Sequence, residues 1–126
     1  MKLPDVNVLV GAVNEAAAEH HAARKWIEDA LNRPAGAAFA WVALLGFIRI
    51  STRRGVLPNP LDVESALMIV RDWIEAPRAH IVHPLPTHGP LLARLLMSAG
   101  TGGNLTSDAH LAGLAIEHGA TLGSFD

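Results

Sequence analysis

The chain has 126 residues, half of them hydrophobic, with a formal net charge of −2 and no cysteine. That length suits one domain with a buried core, and the hydrophobic share excludes a disordered chain. The lack of cysteine excludes disulfide staples and thiolate metal sites and suits a reducing, cytoplasmic setting. A slightly acidic chain meets nucleic acid only through a local basic patch or bound cations.

No membrane association is expected. The longest apolar run, Ala35 to Ile48, has 14 residues, too few to cross a bilayer, and Arg49 follows it at once. Near the N-terminus, Asp5 and Asn7 interrupt the run that a signal peptide would keep apolar.

In chain order, Lys2 to Val13 reads as a short buried strand beginning at Leu3 and Pro4 and ending near Asp5 or Val6. Asn7 is then placed to cap a helical turn through Leu9 and Val10, although an unbroken strand to Val10 has the same pattern. Ala16 to Asn32 is predicted helical, with Ala23, Trp26, Ile27, Ala30 and Leu31 on one face. A small-residue strand follows at Ala37 to Ala40, then a mostly buried helix from Trp41 to Thr52 that Gly55 and Pro58 terminate. Asn59 as cap and Pro60 at the first position open the next helix, with Val63, Ala66, Leu67, Val70, Trp73 and Ile74 as its apolar face. His80 to Leu85 reads as a strand, Thr87 to Ala99 as a helix and Gly100 to Gly103 as a turn. The last stretch, Asn104 to Asp126, holds a helix, a glycine stop and a short strand. Strands alternating with helices predict a three-layer α/β/α fold with a largely parallel sheet.

In such folds, sites form beyond the C-terminal ends of the strands, where the following helices begin. Asp5 ends the first strand, Asp108 lies in the first turn of the last helix, and Asp126 ends the last strand. A helix from Asp108 to His118 runs about 15 Å and a strand from Ala120 to Ser124 returns about 13 Å. Asp108 and Asp126 thus finish level with each other. Each acid alone has an ordinary role, in a turn, at a helix N-terminus or at a solvated chain end. Together they form a set of carboxylates that repel unless a cation neutralises them. Oxygen donors without sulfur suit Mg²⁺ or Mn²⁺, which can activate water against a phosphodiester.

The segments Asp5–Leu9 (DVNVL), Trp41–Thr52 (WVALLGFIRIST), Leu105–Leu122 (LTSDAHLAGLAIEHGATL) and Ser124–Asp126 (SFD) resemble the PIN-domain ribonucleases, and within them the VapC-type toxins of VapBC toxin–antitoxin systems. The resemblance implies a single PIN domain over residues 1–126, a homodimer, and Mg²⁺- or Mn²⁺-dependent cleavage of RNA by metal-activated water. It also implies inhibition by a VapB-type antitoxin. Carried over residue by residue, Asp5, Asp108 and Asp126 become the catalytic, metal-binding acids, with Asn7 and Ser124 supporting them by hydrogen bonds. The chain departs from the family pattern at Gly46, where many members have a glutamate. It also stops at Asp126, where relatives continue through a short aromatic segment, so a truncated C-terminal end is expected.

Arg49, Arg53 and Arg54 are cations at a helix C-terminus, and Arg49 is the candidate for RNA contact. The histidines form no HExxH motif; His80 and His83 point to opposite faces of a strand, and His20 and His21 read as exposed helix residues. His110 follows the Asp108 turn and reads as surface, with facing the site as the other reading. Glu117 and His118 read as an ordinary helix end before Gly119. Trp26, Trp41 and Trp73 read as core. The leading reading is a metal-dependent endoribonuclease toxin. The alternative is a degenerate PIN-like module that binds RNA or protein without cutting. A phosphatase built on an Asp-x-Asp motif lacks its second acid, since Asn7 stands there.

Overall fold

The computed structural model describes residues 1–100 and 103–125. Four short strands, β1 (Lys2–Pro4), β2 (Ala37–Phe39), β3 (Ala79–Ile81) and β4 (Thr121–Gly123), form one parallel sheet in the order β3-β2-β1-β4. The helices are α1 (Val6–Val13), α2 (His20–Asn32), α3 (Trp41–Thr52), α4 (Val63–Ile74), α5 (His88–Ala99) and α6 (Thr106–His118), the last preceded by a 3₁₀ turn, Gly103–Leu105. Helix α1 packs on α2 and α3, α3 on α4, and α5 on α6. Every residue of β2 is buried, so both faces of the sheet centre are covered, as a parallel sheet requires. The expected α/β/α architecture is borne out.

The order places the chain's reversal at β1. From β1 the sheet grows through β2 to β3 on one side, and β4 returns to the other. Crevices for ligands open beyond the strand ends at such a reversal. β1 and β4 are in direct register, Lys2 with Thr121, Leu3 with Leu122 and Pro4 with Gly123.

Pro4 ends the strand instead of beginning it. The Lys2 N–H donates toward β2, to the Gly36 carbonyl (3.1 Å), whereas the Asp5 N–H donates to Gly123 O in β4 (3.0 Å). The missing donor of Pro4 therefore falls on the β2 side, where pairing has already stopped after Lys2 and Ala37. A central strand tolerates proline here because no ladder bond is lost.

The core gathers Leu3, Leu9, Phe39, Leu44, Phe47 and Leu114, each at most 1% exposed. Trp73 lies beside Phe39 (centroids 6.2 Å, nearly parallel) and meets Phe47 edge-on at 4.9 Å, geometries that aromatic pairs favour. Trp26 is half-buried against β4; a Cβ on Gly123 would stand 2.3 Å from its ring, so only glycine lets this indole reach the sheet. Trp41 differs from the expectation of core, being 42% exposed at the first position of α3.

Two helix starts also differ from the sequence reading. Helix α4 begins at Val63, capped by Asp62, whose carboxylate accepts from the Ser65 N–H at 2.7 Å; Asn59 and Pro60 precede it. That hydrogen bond holds the Asp62 carboxyl below its ordinary pKa. The α4 face turns so that Ala66 and Val70 are buried while Val63 and Leu67 are exposed. Helix α2 starts at His20, not Ala16; the intervening residues turn, with the Asn14 side chain accepting from Ala16 N at 3.2 Å.

Candidate active site

Asp5 is the N-cap of α1, the role the sequence suggested for Asn7. Its φ/ψ of −82°/178° is extended, its Oδ1 accepts from the Val8 N–H at 3.0 Å, and its carbonyl accepts from Leu9 N at 3.2 Å. One carboxylate oxygen thus satisfies an orphan donor of the helix. The residue is only 5% exposed, held between the end of β1 and the first turn of α1, where the positive helix end favours its charge. Asn7 sits inside that first turn and is exposed.

Asp108 enters from the opposite side, in the first turn of α6, and is exposed. Among the described residues no side chain caps this helix. Its N-terminus lies at the same sheet edge as Asp5 because α6 must run back along the sheet before β4 can lie parallel to β1.

Asp5, Asn7 and Asp108 line one cleft of about 270 Å³. Its floor and remaining wall come from α3 and α6, through Gly46, Leu45 and Leu111, and Arg49 is the one lining cation among the described residues. Arg49 is exposed and makes no ion pair with a described residue. Gly46 is buried, and a Cβ there would stand 2.8 Å from Val6 Cγ2. Helix α1 therefore closes onto α3 through Val6 and occupies the space a side chain at 46 would need.

The sequence expectation of converging acids is met for Asp5 and Asp108. Asp126 lies outside the described residues. Ser124 is described and exposed, but does not line the cleft. Among the described residues no three His, Cys, Asp or Glu side chains form a metal-holding group. Asp5 and Asp108 nevertheless fit a hard cation: two carboxylates share a small cleft without sulfur or imidazole, and one of them is buried.

A second polar cluster was missed by sequence reading. His88, at the start of α5 and 8% exposed, faces Glu117 and His110 on α6. His88 Nδ1 lies 2.7 Å from Glu117 Oε1, and His88 Nε2 lies 2.9 Å from His110 Nδ1. Glu117 is thus not the solvated helix end its sequence context suggested; its side chain is 4% exposed and its Oε2 has no partner among the described residues. His110, two positions after Asp108, turns away from the acid cleft into this cluster. Burial, then repulsion from His88, lowers its pKa, with Glu117 opposing. His20 is also engaged, its Nδ1 2.9 Å from the Gly11 carbonyl. These contacts span 9 to 29 positions, and no local periodicity announces them.

No helix among the described residues is long and apolar enough to cross a membrane.

Comparison with known proteins agrees with this geometry. The PIN domain family model matches residues 2–126. Ribonuclease VapC37 of Mycobacterium tuberculosis is 46% identical over 126 residues, covering all of this chain and 88% of that protein. Ribonuclease VapC33 of the same species is 35% identical with the same coverage. A crystal structure of VapBC2 from Rickettsia felis, bound to a DNA fragment from their promoter, has the same fold, with a TM-score of 0.65 at 17% identity over 99% of this chain and 87% of that one. A match along nearly the whole chain, on a sheet whose reversal carries Asp5 beside Asp108, establishes that this protein belongs to the PIN-domain family, among the VapC ribonucleases.

Proposed function

We propose that the protein is a divalent-metal-dependent endoribonuclease of the toxin class, restrained by a VapB-type antitoxin. The observation that carries this reading is the joining of Asp5 and Asp108 in one cleft with Arg49, which makes no ion pair with a described residue. Asp126, the residue after Phe125, is the third acid of the proposed set, and Asn7 and Ser124 support it. Asp5, Asp108 and Asp126 would hold a Mg²⁺ or Mn²⁺ ion, which would supply Lewis acidity for hydrolysis of a phosphodiester. Asp5, fixed by its cap bond and by burial, sets the position of the acidic pair. Asp108 completes the negative cleft from the far side. Arg49 meets a phosphate of the RNA backbone, offsetting the repulsion that two acids exert on a polyanion. The proposal extends to a homodimer working in the cytoplasm.

The test is incubation of antitoxin-free protein with structured RNA in Mg²⁺, Mn²⁺ or EDTA. Metal-dependent fragments support the reading. Intact RNA with folded, metal-supplied protein contradicts it and favours the non-cutting module.

A further inference from the structure

Of the 12 residues of α5 only His88 is buried, and the helix packs on α6. There the imidazole lies against His110, Gly113 and Glu117. Its Nδ1 is 2.7 Å from Glu117 Oε1, its Nε2 is 2.9 Å from His110 Nδ1, and the two imidazoles meet edge-on at 4.7 Å. A Cβ on Gly113 would stand 3.0 Å from His88 Cε1, so glycine at this position gives the ring room to seat on α6. An ionised Glu117 only accepts, so His88 Nδ1 carries the donated hydrogen.

His110, Gly113 and Glu117 form one face of α6. At about 100° per residue they stand about 140° to about 200° around the helix axis from Asp108, on the side away from the acid cleft. The core holds a different flank, through Leu111, Leu114 and Ala115. The first turn of α6 brings Ser107 and Asp108 to the cleft, and among the described residues no side chain caps it. Its position therefore depends on what grips the helix farther along. Apolar contact with the core is non-directional. Each ring nitrogen of His88, in contrast, requires its partner in line, which fixes the rotation and height of α6.

We propose that His88 is a positioning residue for RNA cleavage: bonded to Glu117 and His110, it braces α6 from the side opposite Asp108 and sets the reach of that carboxylate toward Asp5. The role rests on the nuclease reading, since the gap it sets is the one a metal ion would bridge. His88 touches neither substrate nor metal. It acts through Asp108, so its loss changes metal affinity and kcat, while the KM for RNA, which depends on contacts such as Arg49, stays as it was. A misplacement of about 1 Å at the reacting groups is enough to matter.

Removing His88 alone would strand the buried Glu117 carboxylate, so the test variant combines His88→Ala with Glu117→Gln. Mn²⁺ affinity is measured calorimetrically without RNA, and kcat and KM on RNA, both below the unfolding midpoint of each protein. The variant is expected to bind Mn²⁺ about tenfold more weakly and to lose about 10²-fold in kcat, with KM unchanged. His88→Asn, whose amide can donate to Glu117 from near the place of Nδ1, should recover most of both. If the double variant does not fold, Gly113→Ala makes the same test with every polar group kept. Its Cβ presses on the His88 ring, and Mn²⁺ affinity should fall; an unchanged affinity overturns the brace. A folded double variant that binds Mn²⁺ and cuts like the parent also overturns it, as does a loss that His88→Asn does not recover. The nuclease reading is scored separately on the unsubstituted protein. Metal-dependent cleavage that ignores His88 sinks the brace alone. His88-dependent Mn²⁺ binding in a protein that leaves RNA intact sinks the nuclease reading and leaves the brace standing. Unsubstituted protein that takes up no Mn²⁺ overturns both.

Discussion

The Asp5 carboxylate accepts the Val8 N–H at 3.0 Å while lining the same cleft as Asp108. One side chain therefore holds up a helix and contributes charge to the site, and the two roles can be separated. Asparagine caps as well as aspartate, whereas alanine does not. Asp5→Asn is expected to abolish RNA cleavage with the cap retained. Asp5→Ala is expected to abolish cleavage and also to cost about 1 kcal/mol of stability. Denaturant unfolding beside a cleavage assay reads both; equal activity loss with unequal stability loss is the expected pattern.

Gly46 and Val6 fit each other. With a Cβ 2.8 Å from Val6 Cγ2, Gly46→Ala adds an overpacking cost of about 1–3 kcal/mol. Replacing a helical glycine returns about 1 kcal/mol, so a net loss of up to about 2 kcal/mol is expected. In a Val6→Ala background the clash disappears, and the same substitution should become stabilising by up to about 1 kcal/mol. Urea midpoints of the four proteins test the change of sign.

His110 makes stability depend on pH. Burial and His88 lower its pKa in the folded protein from the ordinary value of 6.5. The unfolded chain therefore binds the proton first, and stability rises with pH across this window. It is complete above 6.5 and declines as pH falls through the folded-state value. His110→Asn should flatten this decline as pH falls below 6.5. Chemical unfolding at several pH values checks it.

Arg49 faces the cleft and makes no ion pair with a described residue, so removing it strands no described buried charge. Arg49→Ala is expected to leave the unfolding midpoint unchanged and to weaken RNA binding. The slope of log affinity against log salt should fall by about 1. Fluorescence anisotropy at several salt concentrations measures that slope.

The sequence revealed the elements better than their ends. Helix α3 runs from Trp41 to Thr52 as expected, because its apolar run and following glycine and proline are strong local signals. Caps were harder: Asp5 and Asp62 displaced Asn7 and Asn59 because capping depends on which side chain meets extended backbone, and several cap-competent residues lay together. The meeting of Asp5 and Asp108 was legible because a parallel sheet sends strand ends and following helix starts to one edge. That β1 and β4 are neighbours was not, since spacing carries no strand order. The Glu117–His88–His110 cluster depends on packing between elements distant in sequence. The exposure of Trp41 likewise follows from how α3 is rotated.

The most direct test of the account is RNA cleavage by the unsubstituted protein and by Asp108→Asn, at matched concentration, with Mg²⁺ or Mn²⁺ and with EDTA. Asp108 is exposed in the first turn of α6, so the variant should unfold at the same midpoint. Metal-dependent cleavage by the unsubstituted protein, lost in a folded Asp108→Asn variant, is the expected result. Full cleavage by Asp108→Asn, or cleavage that persists in EDTA, would contradict a site built on these carboxylates.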